Sequence, residues 1–243
     1  MSQDRPTDPL EVQRVRHELK RRRLQVLRRT VLTPNVVSLT FTGDDLADFV
    51  SASFDDHVKV LFSDEVKRDY TPRRFDTAAR ELDIEFSLHG DGPAARWASG
   101  ARPGDVLNIG GPRGSFVVPT GYDWHLLAGD DTALPAIARR LEELPAGARA
   151  QVVLAVAEED RRALPSAADV TLQWVEPGAD ALVNAVAALR RPAGDGYAWA
   201  AGEARAVARV REVLVGPWGL ENRRVRCAAY WKAGAVAHHE NLG

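Results

Sequence analysis

The sequence is short of cysteine, methionine and lysine. Its 243 residues include one cysteine, Cys227, and one methionine. A lone cysteine excludes an intramolecular disulfide and leaves no thiolate cluster for zinc or an iron–sulfur centre, which fits a reducing cytoplasm. Lysine stands only at Lys20, Lys59, Lys67 and Lys232, so arginine carries nearly all the positive charge. Neither sign of charge dominates, since 32 Lys and Arg face 34 Asp and Glu for a net charge of −2. That balance gives no overall pull toward nucleic acid or an anionic membrane, and neither partner is expected. No stretch stays apolar for the roughly eighteen residues a membrane span needs. Residues 1–9 are polar and lack the apolar core of a signal peptide, so a soluble chain without a targeting segment is expected.

What is present is ordinary for a globular protein, with 45% hydrophobic and 27% charged residues. The length suits one or two domains, and the change of pattern along the chain favours two. The run Arg68-Asp69-Tyr70-Thr71-Pro72-Arg73-Arg74-Phe75 reads as a strand. Residues two apart in a strand share a face, so Arg68 and Tyr70 stand together while the Thr71 hydroxyl reaches a ligand edge from the other side. Arg suits a phosphate, Tyr a flat isoalloxazine ring and Thr a ring nitrogen, which makes the run a candidate flavin cradle. The plainer alternative is a surface strand with a solvated arginine and a tyrosine at the edge of the core.

Residues 12–29 are basic, with Lys20-Arg21-Arg22-Arg23 and Arg28-Arg29 interleaved with Leu24, Val26 and Leu27. Such a run binds a phosphate backbone or an acidic surface, or it is a solvated helix leading into a first strand. The aromatic interleaving of a single-strand binder is missing, so the helix is expected. Residues 24–32, 36–41, 57–62, the Arg68 run, 81–89 and 106–109 then read as about six short strands with turn punctuation, interrupted by one helix at 93–99. That pattern predicts a small antiparallel barrel. After Tyr122 strands at 124–128, 151–157, 170–175, 197–201 and 224–230 alternate with helices at 133–144, 181–189 and 204–215. Alternation of this kind predicts a parallel sheet covered on both faces, with ligands at the carboxyl ends of its strands. The expected boundary is near Thr120-Gly121, dividing the chain into residues 17–120 and 121–243.

The ordered set of motifs resembles the siderophore-interacting protein family, flavin-dependent ferric-siderophore reductases of the ferredoxin-NADP reductase superfamily that include the vibriobactin-utilisation proteins. The resemblance rests on Leu32-Thr33-Pro34, Phe54-Asp55-Asp56-His57-Val58-Lys59, Arg68-Asp69-Tyr70-Thr71-Pro72-Arg73, Leu82-Asp83-Ile84-Glu85-Phe86 and His89-Gly90-Asp91-Gly92-Pro93-Ala94. It continues in Gly110-Gly111-Pro112-Arg113-Gly114, in Ala128-Gly129-Asp130-Asp131-Thr132-Ala133-Leu134-Pro135-Ala136, in Ala201-Gly202-Glu203 and in Tyr230-Trp231-Lys232-Ala233-Gly234. The set covers nearly everything after residue 30.

The resemblance implies a small antiparallel FAD-binding barrel followed by a Rossmann-like parallel-sheet NAD(P)H-binding domain. It makes Arg68, Tyr70, Thr71 and Pro72 the FAD motif, with Arg68 at the pyrophosphate, Tyr70 on the isoalloxazine and Thr71 near its reactive N5 edge. His89, Gly90, Pro93, Ala94 and Ala95 would supply the second FAD contact, where glycines and a helix start leave backbone amides open to phosphate. His89 is otherwise a strand-end histidine. Gly129, Asp130, Asp131, Thr132 and Ala133, with Gly202 and Glu203, would form the nicotinamide crevice; helix capping is the competing role for Thr132 and Glu203.

The implied reaction is NAD(P)H-driven, FAD-dependent reduction of an Fe(III)-siderophore to Fe(II), with no resident metal. Lys59 is the first candidate for the anionic chelate, and Lys232, His238 and His239 could add charge; a solvated barrel lysine and exposed tail histidines are the alternatives. The sequence departs from the family at Asp131, where Glu is common, and at Lys232, where Arg is common. Lys232 lacks the planar fork of arginine but keeps a point charge. Glu158-Glu159-Asp160 would repel a 2′-phosphate and Arg161-Arg162 would attract it, so the preference for NADPH over NADH comes from the resemblance. A cytoplasmic monomer is expected. The alternatives are a flavin reductase serving a quinone, free flavin or protein partner, and a non-catalytic siderophore or flavin carrier.

Overall fold

A computed structural model describes residues 8–234 and 240–241. In chain order its elements begin with strands β1 (Gln13–Arg16), β2 (Arg21–Thr33), β3 (Val36–Thr42), β4 (Val58–Leu61), β5 (Lys67–Tyr70), β6 (Arg74–Asp76) and β7 (Glu81–Ser87). Helix α1 (Pro93–Gly100) and strands β8 (Val106–Gly110) and β9 (Gly114–Val117) complete the first half. The second half runs β10 (Trp124–Asp130), α2 (Leu134–Glu143), β11 (Arg149–Ala155), β12 (Asp169–Val175), α3 (Ala179–Ala188), β13 (Gly196–Glu203), α4 (Ala204–Val215), β14 (Val225–Trp231) and β15 (Glu240–Asn241).

The basic segment is not a helix. Its end is the start of β2, where Arg21, Arg23 and Gln25 face outward and Arg22, Leu24 and Val26 are buried. This period of two outweighs helix propensity because it puts one apolar row into the barrel. Arg22 is tolerated inside because Asp48 pairs with it at 2.5 Å and its guanidinium lies 5.5 Å over the Phe49 ring. Upstream, β1 forms a separate antiparallel ladder with β9, another pairing the strand signals did not show.

Seven strands pair in the order β5-β4-β8-β2-β3-β7-β6. The two edge strands, β5 and β6, are joined by only Thr71, Pro72 and Arg73. Three residues reach at most about 10 Å, so the sheet must curl until its edges meet, which makes it a barrel. Its interior holds Leu24, Val37, Leu39, Phe41, Val60, Ile84 and Ile109, all nearly inaccessible to water. Helix α1 closes one end, with Trp97 stacked on Phe41 at 6.3 Å.

The second sheet has the order β12-β11-β10-β13-β14-β15 and is parallel through β14; β15 pairs antiparallel to it. Helix α2 covers one face, and α3 and α4 cover the other. From β10 the chain builds toward β11 on one side and later returns to β13 on the other. The strand order therefore reverses between β10 and β13, the place where α/β sheets bind ligands.

The halves are bolted together. Phe54, from the first half, is 1% exposed within the second half's core, 5.3 Å from Trp199 and beneath the Arg140 guanidinium at 5.0 Å. Beside it the buried Asp55 carboxylate accepts from Arg226 and, at 3.2 Å, from the Tyr230 hydroxyl. Asp160 of the second half, 2% exposed, accepts from Thr33 Oγ1 at 2.6 Å and from the Asn35 amide and side chain at 3.2 Å, and pairs with His89 at 2.9 Å. Burial raises the Asp160 carboxyl, but these donors outweigh it and hold the group below the ordinary range.

Removing the Phe54 ring leaves a cavity that crosses from one half to the other. Phe54→Ala is expected to lose about 3–5 kcal/mol, read from urea denaturation midpoints, whereas Phe54→Leu loses less. A loss below about 1 kcal/mol for Phe54→Ala would show that the plug contributes little.

Candidate functional site

Two ligand-type sites face the junction, each built by strand ends. On the barrel, Arg68 and Tyr70 lie opposite Val60 and Val58 and so share a face of the β4–β5 ladder. The Tyr70 ring is 4.5 Å from Phe86 and 6.3 Å from Phe62, and those rings continue to Trp97 of α1. Burial pushes the Tyr70 hydroxyl up to about 12 while Arg68 draws it down, so the ring is neutral at physiological pH. Thr71 is buried at the seam where the barrel edges meet. Arg68 donates to the Lys67 carbonyl at 2.8 Å, and among the described residues no carboxylate pairs with it. Its charge is available to an anion.

Helix α1 starts at Pro93 behind Gly92, which has no side chain to cap it. The Ala94 and Ala95 amides thus lack a side-chain partner. A Cβ built on Gly90 or Gly92 would meet nothing within 4 Å, so the backbone here borders open space. An uncapped helix start, open glycines and an unpaired arginine fit a pyrophosphate, and a neutral ring at a barrel seam fits a flat heterocycle. His89, at the head of this segment, is engaged with Asp160 across the junction.

At the switch point the Asp130 carboxylate organises the crevice. One oxygen accepts from the Thr132 amide at 3.0 Å and its hydroxyl at 2.5 Å; the other accepts from the Glu203 amide at 2.9 Å and the Trp231 indole at 2.8 Å. The ends of β10, β13 and β14 are thereby fixed to one another. Burial pushes the Asp130 carboxyl up against the pull of these donors. A Cβ on Gly129 would lie 2.5 Å from Ala133 Cβ and from the Ala201 carbonyl, and one on Gly202 2.4 Å from Asp130. These two glycines allow the close approach of the strand ends.

The Thr132 hydroxyl serves Asp130 and does not cap α2, whose capping residue is Ala133 without a side-chain bond. Glu203 does cap a helix: its carboxylate accepts from the Arg205 and Ala206 amides at 2.7 and 3.1 Å and from the Ala233 amide at 3.4 Å. Arg161 and Arg162 are committed to Glu176 and Glu85.

The structure separates Lys59 from Tyr70. Lys59 lies opposite Asp69, which pairs with it at 2.8 Å, and stands on the other face of the ladder, 54% exposed. There its row continues across Gly110 to Arg21. The exposed Arg113 follows the Gly110-Gly111 turn at the end of that row. In the sequence Arg21 stood only within a basic run, because register alone brings it to the Lys59 row. Lys232 follows Trp231 at the crevice mouth and is exposed, while His238 and His239 lie outside the described residues. Among the described residues no group of three or more His, Cys, Asp or Glu converges as a metal site, and no helix is long and apolar enough to cross a membrane.

A barrel with a pyrophosphate-type cradle, joined to a parallel sheet with a crevice at its switch point, is the architecture of a two-domain flavin- and nicotinamide-binding protein. The model of the siderophore-interacting protein family matches residues 122–234, and that of the siderophore-interacting FAD-binding domain matches 25–67 and 63–116. The chain belongs to the siderophore-interacting protein family. It is 33% identical over 247 residues to an NADPH-dependent ferric-chelate reductase of Escherichia coli, covering 91% of this chain and 96% of that protein. It is 30% identical over 262 residues to the ferric vibriobactin reductase ViuB of Vibrio cholerae, covering 95% of each. Among solved structures, a siderophore utilization protein from T. fusca superposes with a TM-score of 0.84 at 33% identity, covering 94% of this chain and 98% of that one.

Asp131 carries a pH signature. Burial and the neighbouring Asp130 charge push its carboxyl up to about 6 from an ordinary 3.8, partly offset by His89. The folded chain therefore holds this proton more tightly than the unfolded chain, and the group's effect on stability worsens as pH rises from about 4 to about 6. Asp131→Asn is expected to gain on the wild type across that window in urea midpoints. A difference that does not change with pH would refute the shifted group.

Proposed function

We propose that this protein is an FAD-dependent reductase that uses NADPH to reduce Fe(III) held by a siderophore and so releases Fe(II). The observation that carries this reading is the pairing of the Arg68–Thr71 cradle with the Asp130 crevice across one bolted junction. FAD bound in the cradle would supply the chemistry, accepting a hydride from NADPH and passing electrons on singly. Names of relatives as a ferric-chelate reductase dependent on NADPH and a ferric vibriobactin reductase support donor and acceptor.

Arg68 offers its fork to the pyrophosphate, and the Ala94 and Ala95 amides, behind Gly90, Gly92 and Pro93, meet its oxygens. Tyr70 presents a neutral ring to the flavin, Pro72 stiffens the strand after it, and Thr71 stands at the flavin edge. His89 borders the same segment while holding Asp160. Gly129 to Ala133, with Gly202 and Glu203, shape the crevice for the nicotinamide. Lys59, with Arg21, Arg113 and Lys232, draws in an anionic chelate. Hydroxamate and catecholate oxygens are hard donors that hold Fe(III) far better than Fe(II), so adding one electron loosens the iron with the organic ligand intact. Residues 17–120 serve as the FAD unit and 121–243 as the NADPH unit of a cytoplasmic monomer.

Anaerobic mixing of the FAD-loaded protein with NADPH is expected to bleach the flavin, and a ferric siderophore to restore its colour as Fe(II) is trapped by a chelator. No bleaching with NADPH or NADH sinks the reductase reading, whereas bleaching without reoxidation removes only the acceptor. Lys59→Ala is expected to raise the KM for an anionic ferric siderophore about two- to five-fold, the scale of one exposed ion pair, with kcat held. An unchanged KM rejects Lys59 as a substrate residue.

A further inference from the structure

Helix α2 runs between the two sites and is fastened to both. Its ten residues make it about 15 Å long. At its start, the Ala133 and Leu134 amides donate to the Asp130 and Asp131 carbonyls at 3.1 and 3.3 Å, inside the turn that the Asp130 carboxylate fixes. Further along, Arg139 Nη1 donates to the Pro72 carbonyl at 2.9 Å and to Ser51 Oγ at 2.7 Å, and Nη2 to the Ser51 carbonyl at 3.0 Å. Its Nε donates to Glu143 at 2.8 Å, and the side chain as a whole is buried. One residue on, the Arg73 guanidinium is held by Glu142 of α2 at 2.5 and 2.9 Å. The helix thus grips the two residues that follow Thr71 in the barrel seam.

A buried guanidinium whose fork spans two carbonyls from separate segments fixes position as well as filling space, because neither a lysine nor an apolar chain reproduces that planar geometry. We propose that Arg139 is a positioning residue for hydride transfer, which sets the flavin strand against the nicotinamide crevice through the Pro72 carbonyl. The proposal rests on the FAD and NADPH reading above. In the step concerned, NADPH would give its C–H electron pair as a hydride to bound FAD, leaving NADP⁺; two ferric ions would then take one electron each, and the hydride's proton would be released to solvent as the flavin returns to its oxidised form. Arg139 touches none of the reacting atoms. Its effect is on their separation, which must reach roughly 3–3.5 Å, and a displacement of about 1 Å costs on the order of 100-fold in rate.

The test compares wild type with Arg139→Lys, which keeps the charge and loses the fork. Three readouts are taken: NADPH bleaching under anaerobic conditions per bound flavin, reoxidation of dithionite-reduced protein by a ferric siderophore per bound flavin, and hydrogen exchange over residues 68–76 without cofactor. Bleaching is expected to slow about 10- to 100-fold while reoxidation keeps its rate. Exchange over 68–76 is expected to quicken. Equal bleaching rates per flavin in a wild type that bleaches normally overturn the proposal, as does an equal slowing of both half-reactions. A wild type that bleaches with neither NADPH nor NADH instead overturns the reductase reading, and one that bleaches with NADH alone is compared with Arg139→Lys using NADH. Ser51→Ala removes one hydroxyl from the grip, is scored in the same way, and decides the matter if Arg139→Lys does not fold.

Discussion

The barrel closes on three residues. Thr71, Pro72 and Arg73 join the two edge strands of a seven-stranded sheet, so the stretch that looks like a ligand motif is also the seam of the fold. An open edge would leave unpaired backbone groups, and here chain continuity forces the edges together. The seam is supported from both sides. The Arg73 amide donates to the Asp83 carbonyl within the barrel at 2.9 Å, while Arg139 and Glu142 hold Pro72 and Arg73 from the other half. The ligand contacts proposed for Tyr70 and Thr71 thus sit beside backbone that is held from both halves, which favours a preorganised site.

The same logic governs the junction. Asp55, Asp160 and Arg139 would each be costly alone in an apolar interior, and each is satisfied by donors or acceptors from the opposite half. Parting the halves would strip these groups of their partners at once. Phe54 adds an apolar plug to this polar set. The two candidate sites are therefore carried by one framework.

Much of this was readable in advance. The period of two in the first half and the alternation of strands and helices in the second both reflect how a chain buries one face, and every helix expected after Tyr122 is present, with α4 at the residues anticipated. The boundaries of β10 and β13 moved by two residues because the strands continue into Asp130 and Glu203, whose side chains end them by binding neighbouring amides. The basic segment misled because arginine-rich runs resemble helices, and nothing local reveals that Arg22 will find Asp48 and Phe49. Trp231 was visible inside its motif, yet its bond to Asp130 depends on β10 and β14 ending at one level of the sheet. Arg139 gave no signal at all, because a helix arginine paired four residues on looks like a solvated one.

Taken alone, the sequence determined the two architectures, the strand that carries Arg68, Tyr70 and Thr71, and the strand-end turns around Asp130 and Gly202. These are local matters of periodicity, turn chemistry and spacing. Only the tertiary structure decided which face Lys59 takes, that Arg21 joins its row, that Glu203 caps α4, and that Asp160 and Arg139 cross the junction. Those outcomes depend on register and on partners more than a hundred residues away for Asp160, and about seventy to ninety away for Arg139. Long-range pairing of buried polar groups is settled by which partners the folded backbone brings within hydrogen-bond reach, and no local pattern encodes that distance.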